Sequence, residues 1–319
     1  MAVQVHEVVL RSEQSFGGKL PPRHVGMLLE ELPLALRESV SMAFRNRSSS
    51  PGRIPGWLAD TADVRFVGHQ GGSDTVLYFE APMLRDAAPE IYAQQSLLPG
   101  LDDRPDPGNT AFDLFADVVS DIANFVEDSP HFDSPLLSRV ARFRRVINKG
   151  PFSEVDIPKR TGSGQEPAKI TSATVESAQS LLGRTPESQR VRVVGQLDGL
   201  VHSTQRFSIL LDNGEKAAGV FPEDQAEYVK QHWGRRVLVL GVAVYRASGR
   251  LLRIDADRIL PGDQESAVFS RVSPPAPRRL DPSKLRKPQG PKSGVNAIVG
   301  RWPGDETDEE IADALERLS

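Results

Sequence analysis

The stretch from Arg190 to Leu260 constrains the chain more than any other, because it is written as short β-branched runs separated by strong turn signals. Arg190-Val-Arg-Val-Val-Gly-Gln-Leu197 alternates in part, as a half-buried strand does, and runs into a turn at Gly199. Arg206-Phe-Ser-Ile-Leu-Leu211 is a second strand, and the Asp212-Asn213-Gly214 turn returns Glu215 to Phe221 beside it as a hairpin. Pro222 opens a helix with Glu223 and Asp224 in its first turn, where the helix dipole favours acids, and Gly234 supplies its left-handed end. Arg236 to Tyr245 is apolar on both parities beyond its start, which predicts a central strand covered on both sides. Ser248-Gly249 then turns the chain into Arg250-Leu-Leu-Arg-Ile-Asp-Ala-Asp257. Three strands, a helix and two strands is the order of a small five-stranded OB-like β-barrel. A small SH3-like barrel or an open α+β sheet would write a similar string.

The rest of the chain places a second body before this one. Val3 to Leu10 predicts a strand, and Val25, Leu28, Leu29, Leu32, Leu36 and Val40 recur at helical spacing. Pro33 removes a backbone donor within that pattern, so a kink or two helices is expected. Asp63 to Gly68 and Thr75 to Ala81 flank a Gly-rich hairpin loop, and Ala87 to Gln95 reads as a short helix. Thr110 caps a further helix striped with Phe112, Phe115, Val119, Ile122 and Val126. Its Asp113, Asp117 and Asp121 fall four residues apart on one face and repel one another. A solvated face is the expectation for them, neutralised by Arg142, Arg145 and Lys149 of a helix over Pro135 to Lys149. The fold class is therefore α+β. An N-terminal α+β domain (1–157) is followed by a linker (158–169) and then by the barrel with a leading helix that packs on it (170–262).

Beyond the barrel the composition changes. Residues 270–294 carry six prolines and seven Lys or Arg against one acid, too little apolar surface to order itself, so 263–293 is expected to be a disordered Pro/basic tether. It leads into 294–319, where Thr307 and Glu310 make a capping box and Ile311, Leu315 and Leu318 a narrow apolar seam. A short C-terminal helix of that length is marginal alone in water, and Trp302 before it is the kind of residue that anchors interfaces. Either it docks on its own barrel or it folds into the groove of another protein.

Composition excludes several classes. No cysteine is present, so disulfides, thiol catalysis and thiolate metal sites are ruled out. A net charge of −4 argues against a surface that coats nucleic acid or membrane throughout. No run approaches 18 apolar residues, and the first residues lack the pattern of a signal peptide, so a cytoplasmic protein is expected. P-loop, nucleophile-elbow and zincin motifs are absent, and His6, His24, His69, His131, His202 and His232 are scattered without ligand spacing. No catalytic residue, cofactor or metal is assigned, and an enzyme whose site is built from distant residues stays as the weakest reading.

Gly300-Arg-Trp-Pro-Gly-Asp-Glu-Thr-Asp-Glu-Glu-Ile311 resembles the C-terminal segments of bacterial antitoxins that pair with PIN-domain ribonuclease toxins. The two larger domains resemble those of bacterial two-domain proteins that carry no assigned role. The antitoxin resemblance implies a partner protein encoded nearby, a PIN-domain toxin. Arg301 would then stand against its acidic metal-binding site, with Trp302 as anchor and Ile311, Leu315 and Leu318 as groove contacts. Such antitoxins are short DNA-binding proteins, and no DNA-binding helix pair or ribbon is written here. The favoured reading is a non-catalytic, antitoxin-like adaptor. The alternative is single-stranded nucleic-acid binding by the barrel, whose eleven basic residues face eight acids. Tyr245 at a strand end, beside the turn that Arg246 and Arg250 flank, is the expected contact.

Overall fold

The computed structural model describes residues 2–49, 52–93, 104–148, 150–159, 166–262 and 271–275. These fall in one compact unit, Met1–Ala276. The expected partner segment, with Arg301, Trp302, Ile311, Leu315 and Leu318, lies outside the described residues, as does nearly all of the tether. Among the described residues, no helix is long and apolar enough to cross a membrane.

The first half of the unit is an antiparallel sheet with helices on one face. Strand β1 (Val3–Arg11) alternates, with His6, Val8 and Leu10 buried and Val3 and Val5 exposed. Helix α1 (Pro22–Arg45) starts on a proline, which needs no amide partner there, and lays Leu28, Leu32, Leu36 and Val40 into the core. It is one helix through Pro33, not two. Core packing on either side of the proline outweighs the single hydrogen bond it removes.

Helix α2 (Gly56–Thr61) follows, then the hairpin β2 (Arg65–Gly71) and β3 (Thr75–Pro82). Two short helices come next, α3 (Leu84–Ala87) and α4 (Pro89–Ala93). Helix α5 (Ala111–Ala123) carries a full capping box, with Thr110 and Asp113 each satisfying the other's backbone amide end. The predicted long helix after it is instead α6 (Ser134–Arg142), started by Asp133, and a 3-10 turn over Phe143–Arg145. Strands β4 (Glu154–Ile157) and β5 (Ala168–Thr171) complete a sheet of order β2-β3-β1-β4-β5.

Strand β5 and the helix α7 (Ser172–Arg184) that it feeds correct an expectation. β5 pairs with β4, and α7 buries Val175, Ala178 and Leu181 in the core that α5 and α6 also line. The helix expected to pack on the barrel belongs to the sheet half. The aspartate stripe on α5 is also partnered differently from expectation. Asp113 is buried in the cap, Asp117 lies 3.4 Å from Lys159, and Asp121 accepts from Ser129. Arg145 stands 3.9 Å from Glu31 rather than near the stripe.

The second half is the closed barrel predicted from Arg190 to Leu260. Its strands are β6 (Gln189–Val201), β7 (Arg206–Leu210), β8 (Lys216–Val220), β9 (Arg236–Tyr245) and β10 (Leu251–Pro261). Helix α8 (Ala226–Gln231) sits between the third and fourth strands. Closure runs β10-β8-β7-β6-β9 and back to β10, antiparallel except where β8 meets β10. That connectivity is the OB-like one. Gly214 and Gly249 adopt φ of +83° and +85° in the two predicted turns, conformations that side chains strain to reach. Gly241 serves a different need, since a Cβ there would lie 2.3 Å from the Asp255 carbonyl oxygen on the neighbouring strand.

Two outcomes follow from this packing. Gly241→Ala should lower the urea midpoint by the equivalent of about 1–3 kcal/mol, the usual cost of forcing atoms into a filled interior; an unchanged midpoint would refute the close approach. The second concerns His6, which is stacked on Phe112 with ring centroids 4.6 Å apart and lies 3.1 Å from the Thr110 hydroxyl. Burial pulls its pKa below the ordinary 6.5, against the opposing pull of Asp113. The unfolded chain therefore takes up a proton there before the folded chain does, so stability falls as pH drops through that ordinary value and levels off below the folded one. Between about pH 7.5 and 5.5, the loss of urea midpoint should be smaller in His6→Gln than in the parent. Identical losses would show that His6 titrates normally in the fold.

Candidate functional site at the junction of sheet and barrel

The two halves share one core. Val244, Ala247 and Leu252, at the turn joining β9 to β10, are buried in the same apolar cluster as α1, α5 and α6. A β-bulge makes this possible. Leu251 stands opposite Tyr245 and Arg253 opposite Val244, so Leu252 is an extra residue on its strand. The slip lets Leu252 enter the first half's core while Ile254 faces the barrel interior.

The same slip buries Arg253. Its guanidinium donates through Nη1 to Asp133 Oδ2 at 3.1 Å and to the Asn46 carbonyl at 2.9 Å, and through Nε to Asp255 at 2.7 Å. The two paired side chains are 5 % and 0 % exposed. Asp133 is also the cap of α6, accepting from Leu136 N, and it takes both the amide and the hydroxyl of Ser48. One carboxylate thus joins a helix start, the loop after α1 and a barrel strand. Asn46, in the left-handed conformation at φ 55° that ends α1, donates to the Leu252 carbonyl.

Around this centre the barrel loops close onto the first half. Arg246 Nη1 donates to the Asp128 carbonyl at 2.9 Å, Arg250 Nη1 pairs with the Asp128 carboxylate at 3.1 Å, and Ser248 hydrogen-bonds the same carboxylate. The other loop at this end brings Gln205 to Arg45 at 3.1 Å. Loops between the first and second and between the fourth and fifth strands are the ones by which OB barrels hold oligonucleotides. Here both are engaged by the chain's own first half.

Of the predicted contact Tyr245, Arg246 and Arg250, the tyrosine lies differently from expectation. Tyr245 is 2 % exposed and packs in the barrel core, its hydroxyl donating to the Ser273 carbonyl at 3.0 Å. Burial also raises its pKa. Stacking on a base requires an open ring face, which this ring lacks. Arg246 and Arg250 follow it in sequence, flanking the turn, and both contact Asp128.

Beside the junction lies a cleft of about 390 Å³, lined by Asn46, Asn109, Asp117, His131 and Arg206 among others. His131 Nδ1 is 2.8 Å from Asp121 Oδ2, which also accepts from Ser129 Oγ at 2.6 Å, so the ring orientation is fixed by α5. A histidine oriented by a carboxylate can pass a proton at its other nitrogen. Among the described residues, no three His, Asp or Glu side chains are grouped to hold a metal ion.

Arg253 and Asp133 carry the strongest test. Arg253→Met leaves a buried carboxylate without its cation and should cost about 3–5 kcal/mol. Pairing it with Asp133→Asn should recover part of that loss in a double-mutant cycle. Additive losses would mean that the two side chains do not interact. No family model, no curated protein and no solved structure matches this chain.

Proposed function

We propose that the protein is a non-catalytic adaptor that captures a partner protein through residues 294–319. The observation that carries this reading is in the sequence of that segment: a capping box at Thr307 and Glu310 set beside Trp302, Ile311, Leu315 and Leu318. Apolar residues at that spacing bury one stripe against a groove, and a tryptophan supplies the anchor that most often dominates such contacts. Arg301 and the sequence around it resemble antitoxin tails, which supports a ribonuclease of the PIN-domain class as the partner. Opposite the carboxylates of such an enzyme's metal site, a guanidinium is well suited, because it offers paired donors in a fixed plane.

The geometry of the body is compatible with this role. Val272 packs against the barrel core and Ser273 accepts from Tyr245, so the chain leaves the barrel from a fixed point. The loops through which the alternative reading would have the barrel grip a nucleic acid contact Asp128 and Arg45.

Co-purification with the product of the neighbouring gene tests the proposal. Recovery should be lost on deleting 294–319, and Trp302→Ala should weaken binding by about 2 kcal/mol or more, roughly thirty-fold. Equal recovery with and without the segment would sink the reading. Arg301→Ala should retain binding but weaken any inhibition of ribonuclease activity.

A further inference from the structure

Among the described residues, the barrel exposes one large aromatic, Trp233, which the junction leaves untouched. Its indole is 49 % exposed, against 45 % for the Phe66 ring on β2. It is not on a loose loop. Gly234, at φ +71°, turns the chain so that its amide donates to the Leu197 carbonyl at 3.0 Å. Leu197 N donates to the Arg235 carbonyl at 2.9 Å, and Gln196 Nε2 to the Gly234 carbonyl at 3.1 Å. On the other side, the His232 ring stacks on Tyr228 at 4.0 Å and its Nδ1 lies 2.8 Å from the Tyr228 carbonyl. An indole held out by a stiff backbone needs little further ordering to accept a planar partner.

Cations predominate in the segment that carries it. Tyr228-Val-Lys-Gln-His-Trp-Gly-Arg-Arg236 contains three cations and no acid. Arg236 is held by Asp212 through two contacts of 2.7 Å, and Lys230 reaches Glu227 only at 4.0 Å, whereas Arg235 is exposed and makes no ion pair among the described residues. Strand β6, against which this segment lies, presents Arg190 and Arg192 outward on the same barrel. Bases stack on an aromatic face whatever their identity, and neighbouring cations hold the phosphates, so an exposed aromatic in a cationic setting suits a single strand better than a neutral peptide.

We propose that Trp233, with Lys230 and Arg235 beside it, is a stacking platform for single-stranded nucleic acid on the outer surface of the barrel. The site is separate from the partner segment and from the junction loops. It stands or falls independently of the adaptor reading.

The test is fluorescence anisotropy of a labelled oligothymidylate titrated with the full chain, at roughly 20 mM and 200 mM salt. Binding should be measurable at the lower concentration and fall at the higher. Trp233→Ala should weaken it by about five- to a hundred-fold, the range expected for losing one stacked base, while Trp233→Phe retains most of it. Arg235→Glu should weaken it and flatten the salt dependence. Circular dichroism of each variant should match the parent, because both side chains lie at the surface. No binding at low salt overturns the proposal. So does binding that Trp233→Ala leaves intact, which would place the strand elsewhere, and so does an affinity indifferent to Arg235→Glu.

Discussion

The contact between Asp133 and Arg253 holds the unit together, because it satisfies three structural demands in one place. Asp133 begins a helix, fixes the loop after α1 through Ser48 and receives the barrel's only fully buried arginine among the described residues. Burying a charge pair is not favourable for its own sake, since removing two ions from water costs several kcal/mol each. Its value lies in specificity: any other arrangement of barrel on sheet would leave Arg253 or Asp133 buried without its partner. The apolar surface of Val244, Ala247 and Leu252 attracts the barrel without fixing its angle, and the ion pair supplies the register.

Much of the barrel was legible because its information is local. Although the helix expected to open at Pro222 is a 3-10 turn over Glu223–Gln225 followed by α8, turn residues with positive φ and alternating strands are written within a few residues of where they act. The same holds for α5, whose Thr110 and Asp113 cap is readable from spacing alone. What failed was address. Helix α7 is a short amphipathic run next to the barrel in sequence, and nothing in its pattern states that β5 carries it back to β4. The two-helix expectation at Pro33 failed for the opposite reason, because its local cost is real and tertiary packing overrides it.

The junction was hidden for a further reason. A β-bulge shifts the alternation of one strand against its neighbour, and that shift exists only in the pairing, so Arg253 reads in sequence like any exposed arginine of a strand. Tyr245 carried a signal that could have been used: it shares parity with Val237, Val239 and Ala243, all on the barrel's inner row. Asp128 and Asp133 sit in a loop whose charges look solvated until the barrel is placed against them. The cleft histidine is similar, since Asp121 and His131 are ten residues apart and meet only because the chain folds back after α5.

The shared core has a consequence for synthesis on the ribosome. The last strand of the sheet half and its covering helix are complete by Arg184, yet the apolar side chains that finish that half's interior arrive some sixty residues later, at Val244, Ala247 and Leu252. Until the fourth and fifth barrel strands emerge, the nascent first half must carry an unfilled apolar socket and an unneutralised Asp133. Maturation of the N-terminal part is thereby made conditional on successful translation of the barrel, and a chain stopped short of β10 would be distinguishable to the cell's quality control as unfinished.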